Sequence, residues 1–156
     1  MSTAATPTAR HWWILGAGTL AQGAAAITYH GTPFLIPALR DEGLSLTVAS
    51  SIAAAPTFGV MFALVAWGLA ADKLGERFVL LTGMVTATIF NAIAIWCTHP
   101  ALLAAAFFLA GACAASVASA SGRVVVGWFP PQTRGLAMGI RQTAQPIGVG
   151  IAAISL

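Results

Sequence analysis

The 156 residues are 58% hydrophobic and 7% charged, with seven basic and four acidic side chains, a net charge of +3 and a mean hydropathy of +0.87. A soluble domain carries roughly 25% charged residues, and one this apolar would expose patches that monomers avoid. The composition therefore excludes an ordinary soluble domain, and basic residues scattered between apolar runs exclude a nucleic-acid binder.

What remains is an all-α integral membrane protein of about five transmembrane helices. The apolar runs are far longer than the roughly 10-residue alternating strands of a membrane barrel. Residues 1–11 form a polar start, read as a cytoplasmic tail. The first apolar segment follows over 12–39, from WWILGAGTL to TPFLIPAL. A secretory signal ending near Ala24–Ala26 is the competing reading, but the run continues well past those alanines. RDEGLS, Arg40–Ser45, connects to a second segment over 46–71. DKLGER connects that to a third over 78–97, and Thr98–Pro100 connects to a fourth over 101–126. Gly127–Gly135 leads into a fifth over 135–156, with Pro130 and Pro131 forcing a helix stop. About 20 residues cross the hydrocarbon core, so the first four segments are each long enough to span, and the fifth is about that length where the sequence ends. Cys97 and Cys113 lie in apolar runs without metal-ligand spacing and read as buried small hydrophobes. No metal or cofactor is expected.

Basic residues set the orientation. Arg10, Lys73, Arg77, Arg123 and Arg134 fall on one side, and Arg40 alone, beside Asp41 and Glu42, on the other. The positive-inside rule then makes the N-terminus and the second–third and fourth–fifth connectors cytoplasmic. Trp12, Trp13, Trp96 and Trp128 stand near segment ends, as interfacial anchors do. The expected location is the plasma (inner) membrane, multi-pass, with the lipid bilayer as immediate partner.

Against this sparse background, Asp72, Lys73, Glu76 and Arg77 crowd together. Snorkelling explains the two basic residues. It does not explain the acids, which contribute little to topology. Gly75 permits a left-handed turn, and Gly68 would let another helix approach closely. Gly68, Asp72, Lys73, Gly75 and Arg77, spaced G-x-x-x-D-K-x-G-x-R, resemble the signature between the second and third helices of the major facilitator superfamily of secondary transporters. GRVVVGWFPPQTRGLAMGIRQTAQPIGVG resembles the same family's passage from its fourth helix to its fifth. The resemblance implies the N-terminal part of a helical transporter bundle, and a non-enzymatic function. It also implies a gate: Asp72 as latch acid, Arg77 and Arg123 as its partners, and Arg134 on the same side. Glu76 departs from the pattern, standing where a basic residue is usual. AAAFFLAGA lacks the arginine often found early in the fourth helix. Gln145, Pro146, Gly148 and Gly150 match the antiporter pattern only in part.

Such a transporter binds a small-molecule substrate near the midplane, so polar residues inside spans are candidates. Arg141 and Gln145 share a face at i, i+4, with Gln142 beside them and Pro146 expected to free a carbonyl. An arginine with amide neighbours suits an anionic substrate. Snorkelling past Arg134 toward the interface is the alternative. Gln22 and His30 are further candidates for the path, with Tyr29 beside them, and Asn91 reads as a packing contact. No Asp or Glu lies inside a span, which leaves proton coupling unsupported. Gly111, Ala115, Ser119 and Gly122 share a face suited to close packing. The weak resemblance of SASG, Ser119–Gly122, to an intramembrane serine protease motif lacks its first glycine and a histidine at similar depth.

The family fold needs about twelve spans. The chain is therefore expected to be a truncated and by itself inactive portion, needing its C-terminal half or a second copy as partner. A small oligomeric transporter and a non-transporting helical scaffold are the alternatives.

Overall fold

The structure, a computed structural model, describes residues 8–155, apart from the side chains of residues 121–126 and 128. Every regular element is helical: α1 (Ala9–His30), a 3₁₀ turn (Thr32–Leu35), α2 (Ile36–Asp41), α3 (Leu46–Leu74), α4 (Glu76–Ile95), α5 (Pro100–Trp128) and α6 (Pro131–Ser155). Of these, α3, α4 and the Pro100–Ala120 part of α5 are long and apolar enough to cross a membrane.

Local chemistry sets the boundaries. The 12–39 segment is not one helix. Pro33 lacks an N–H and its ring would meet the carbonyl four residues back, so α1 ends at His30 and the chain tightens into the 3₁₀ turn. Thr32 Oγ1 donates to the Ala53 carbonyl at 2.8 Å, tying that turn to α3. Ser45 caps α3 by accepting from the Val48 amide at 3.3 Å. Helix α4 stops at Ile95, which leaves Cys97 in the turn before Pro100 rather than inside a helix. Helix α6 begins at Pro131, where a missing amide is no loss.

DKLGER is a tight turn, as Gly75 suggests. Helices α3 and α4 are separated by Gly75 alone, at φ +87°. Only glycine takes that conformation without strain, so one residue reverses the chain. Asp72 and Lys73 become the last turn of α3, and Glu76 and Arg77 the first turn of α4.

Long-range contacts show how the helices run. Leu15 packs at the level of Ala137, Gly23 at Ala144 and Gly31 at Ala152, so α1 and α6 are parallel. Leu39, Ala49 and Ile52 cluster with Leu103 and Phe107, and Ala71 with Ala120, so α3 and α5 are parallel too. Val79 beside Ala120 and Ala87 beside Ala114 make α4 antiparallel to α5. Thr32 on Ala53 and Tyr29 on Thr57 make α1 antiparallel to α3. Direction thus alternates through α1, α3, α4, α5 and α6, as it must in a chain that crosses a slab repeatedly through short connectors.

The core is built from small residues. A Cβ on Gly59 would lie 2.0 Å from the Phe108 carbonyl, and one on Gly111 2.0 Å from that of Pro56. One on Gly83 would lie 1.9 Å from Ser116 Oγ. Glycine at these positions lets α5 lie backbone to backbone against α3 and α4, where dispersion rather than water drives association. Gly111 and the fully buried Ala115 therefore sit in packed surroundings, while Gly122 lies outside the described residues.

Candidate functional site

Polar side chains gather along the seam between α1 and α6. The seam is close because its inner positions are small. A Cβ on Gly148 would come 2.5 Å from the Gly23 carbonyl and 3.1 Å from Ala26 Cβ. With the backbones that near, side chains flanking the line of contact meet across it.

Two pairs do so. Arg141 Nη2 donates to Gln22 Oε1 at 3.1 Å, and Nη1 donates to Gln142 Oε1, also at 3.1 Å. Arg141 is only 7% exposed and Gln22 only 4%. Arg141 lies ten residues into α6, about 15 Å along its axis. The guanidinium turns sideways into α1 instead of running back along α6 toward the interface, so its direction is not the one snorkelling would give. One turn above, Gln145 Nε2 lies 2.9 Å from His30 Nε2, a hydrogen bond whose direction follows the imidazole tautomer. His30 is also packed edge-on against Tyr29, with ring centroids 4.6 Å apart. Thus the five residues named for the substrate path, 22, 30, 141, 142 and 145, all fall on one seam, and four of them pair across it. Pro146 lies within α6, where its missing N–H withdraws the intrahelical donor from the Gln142 carbonyl. Among the described residues no cluster of three His, Cys, Asp or Glu could hold a metal.

A model of the Major Facilitator Superfamily matches residues 17–155. The chain belongs to the major facilitator superfamily. It is 40% identical to an uncharacterized MFS-type transporter of Mycobacterium tuberculosis, matched in two strains, over 99% of this chain and 35% of that protein. It is 30% identical to the glycerol-3-phosphate transporter of Bacillus subtilis, over 77% of this chain and 28% of that one. The chain thus spans about a third of the length of the curated relatives it matches. No solved structure matches it significantly. Superfamily membership makes it a multi-pass membrane protein of a transporter family, not an enzyme.

The residues that resemble the superfamily's signature lie at the opposite end of the helices from His30. Asp72, Lys73 and Arg77 are exposed, and Glu76 is half-buried. Neither Asp72 nor Glu76 is without a partner. The helix termini treat the charges differently: Lys73 and Glu76 complement the α3 and α4 dipoles, whereas Asp72 opposes that of α3. No described neighbour comes close to Gly68, since nothing described lies within 4 Å of where its Cβ would be. The physical reason is its place on a face of α3 that no described helix covers. Arg134 is half-buried, and its Nη2 donates to the Phe129 carbonyl at 3.4 Å. Arg123 lies outside the described residues.

A second contact lies at this same end of the helices and carries no motif. His11 and Trp12 both set their rings edge-on to Phe129, at 5.9 and 5.5 Å between centroids. Phe129 is 2% exposed and packs on Leu15 and Ala137, so the start of α1 is docked on the α5–α6 connector. An aromatic beside Pro130-Pro131 was the available signal.

Proposed function

We propose that this chain provides the opening helices of a secondary transporter that moves a small anionic solute by alternating access, with the solute's charge received at Arg141. One observation supports this above the rest: a guanidinium drawn into the protein at mid-helix and held by Gln22 of a different helix. A charge at that depth is costly and needs a reason. The planar fork of an arginine fits a carboxylate or a phosphate with two parallel hydrogen bonds. The Bacillus subtilis relative is named for glycerol-3-phosphate, an organic phosphate, which makes that compound the first to try.

The gate belongs to the same reading. Alternating helix directions put the N-terminus, the α3–α4 turn and the α5–α6 connector on one side, and that side carries Arg10, Lys73, Arg77 and Arg134. The positive-inside rule makes it cytoplasmic in the plasma membrane. Asp72, on the exposed last turn of α3, is the latch acid, with Lys73, Gly75, Arg77, Arg123 and Arg134 as the surrounding switch. Gly68 belongs to this group through the face of α3 it leaves open, which a helix of the transporter's other half would cover. In this architecture the substrate sits between two six-helix halves. A chain with a third of its relatives' length therefore needs a C-terminal half or a second copy to complete the cavity, and these 156 residues alone carry no uptake.

The test is uptake into proteoliposomes by the product that carries this chain, with glycerol 3-phosphate and with short carboxylates. Arg141→Lys keeps the charge but loses the fork, and should lower uptake about tenfold or more, the scale of a charged hydrogen bond. Unchanged kinetics in that variant would remove Arg141 from the path. Saturable uptake by the 156-residue chain alone would show that no further half is needed.

A further inference from the structure

The anion reading uses the lower of the two pairs on the α1–α6 seam and leaves the upper pair unexplained. As helix glue, the His30–Gln145 bond is redundant. Gly23, Ala26, Gly31, Ala144, Gly148 and Ala152 already bring the two backbones to their closest approach. The two pairs also differ in access. Arg141 and Gln22 are buried, whereas His30 and Gln145 are half-buried and Gln142 is exposed. Arg141 and Gln145 stand one turn apart on α6, roughly 6 Å along the axis. Between them lies the Gln142 carbonyl that Pro146 has deprived of its helical donor.

We infer that His30 and Gln145 form the second anchor of the site, receiving hydroxyl groups of a substrate whose anionic head is at Arg141. The substrate class is then a short hydroxylated anion, a polyol phosphate or a hydroxy acid. The chemistry of the upper group fits that role. An imidazole and a carboxamide both donate and accept, as a hydroxyl does, and neither carries a fixed charge that a neutral hydroxyl would have to offset. The 2.9 Å bond between them holds both in place when no hydroxyl is bound, and a hydroxyl can insert into it or bridge it. His30 is a specificity-determining residue in this account. It selects among anions that Arg141 would otherwise take alike, and the inference rests on Arg141 as the anion anchor.

The experiment measures binding by calorimetry to the product that carries this chain, expressed from its own gene and purified in detergent. The probes are two matched pairs: glycerol 3-phosphate with propyl phosphate, and glycerate with propionate. At least one hydroxylated member should bind about tenfold more tightly than its plain partner, the worth of a net hydrogen bond. His30→Ala should bring that ratio close to one. His30→Asn, which restores a donor and an acceptor on a shorter arm, should recover part of it. Thermal melting of each variant, within about 3 °C of wild type, separates lost recognition from lost folding. Binding that depends on Arg141 but shows equal affinities within each pair, or a ratio that His30→Ala leaves unchanged, overturns the second anchor while keeping the anion site. No Arg141-dependent binding of any of the four compounds overturns the anion reading and this inference with it.

Discussion

Two seams of the bundle use the same small residues to different ends. Between α3 and α5, Gly59, Gly111 and Pro56 bring backbones together, and the neighbours are apolar, with Trp67 Nε1 donating to the Ala112 carbonyl as the polar clamp at 2.7 Å. Between α1 and α6, Gly23 and Gly148 allow a close but looser approach, and the flanking positions hold Gln22, His30, Arg141 and Gln145. Close packing in the first seam is the purpose. In the second it is the means by which polar groups from two helices reach each other. A small-residue stripe in a membrane chain therefore says that helices touch; the residues beside the stripe say why.

The largest expected effect lies in the apolar seam. Gly111→Val would drive its side chain into the Pro56 backbone, which cannot give as a flexible side chain could. Overpacking of this kind costs about 3 kcal/mol. The expected outcome is a strong fall in membrane yield and melting temperature, read by Trp fluorescence during heating. A variant that melts like wild type would mean that α3 and α5 are not in backbone contact.

Gly148→Ala tests the other seam, with a smaller step. The added methyl meets the Gly23 carbonyl at 2.5 Å, and the helices must separate slightly. The stability cost should be about 1–2 kcal/mol. Separation also lengthens the Arg141–Gln22 and Gln145–His30 bonds, so uptake should fall further than melting does. If the two readouts fall together, as for Gly111→Val, the seams do the same job and the contrast between them is lost.

How much of this was legible in the sequence follows from the range of each signal. Hydropathy and the Asp72-Lys73 signature are local, and they gave the class, the family and the number of long helices. The i, i+4 spacing of Arg141 and Gln145 placed both on one face without contacts. What covers that face is a matter of tertiary register: Gln22 is 119 positions from Arg141, and no period in the sequence relates them. Helix ends were misjudged where hydropathy competes with backbone chemistry. Pro33 breaks an apolar run that reads as continuous, and charged Asp72 and Lys73 stay helical because Gly75 alone makes the turn. Gly68 is legible only in part: a glycine shows that a neighbour could come close, and no described residue takes that space.

Asp72→Asn separates the gate from both seams. Asp72 is exposed, so neutralising it should leave melting within about 0.5 kcal/mol of wild type. Loss of its charge should still slow uptake several-fold if it latches the cytoplasmic side. Wild-type uptake would leave DKLGER as a turn and nothing more, and would confine the transport machinery to the α1–α6 seam.

The smallest effect is expected at Asn91, where α4 meets α1. Its Nδ2 donates to Thr28 Oγ1 at 3.1 Å and to the Ala87 carbonyl of its own helix at 3.0 Å. Interhelical hydrogen bonds of this kind contribute about 0.6 kcal/mol in membranes, because the separated helices find other partners. The Ala87 bond shows one such partner already in place, since Asn91 can satisfy itself within α4. Asn91→Ala should therefore lower stability by about that amount and leave uptake unaltered. The position is informative because Thr28 is two residues from His30 on the same helix. A loss of uptake from Asn91→Ala without a matching loss of stability would mean that α4 helps set the position of α1, and with it the upper pair. The α1–α6 seam would then be positioned from outside as well as by its own glycines.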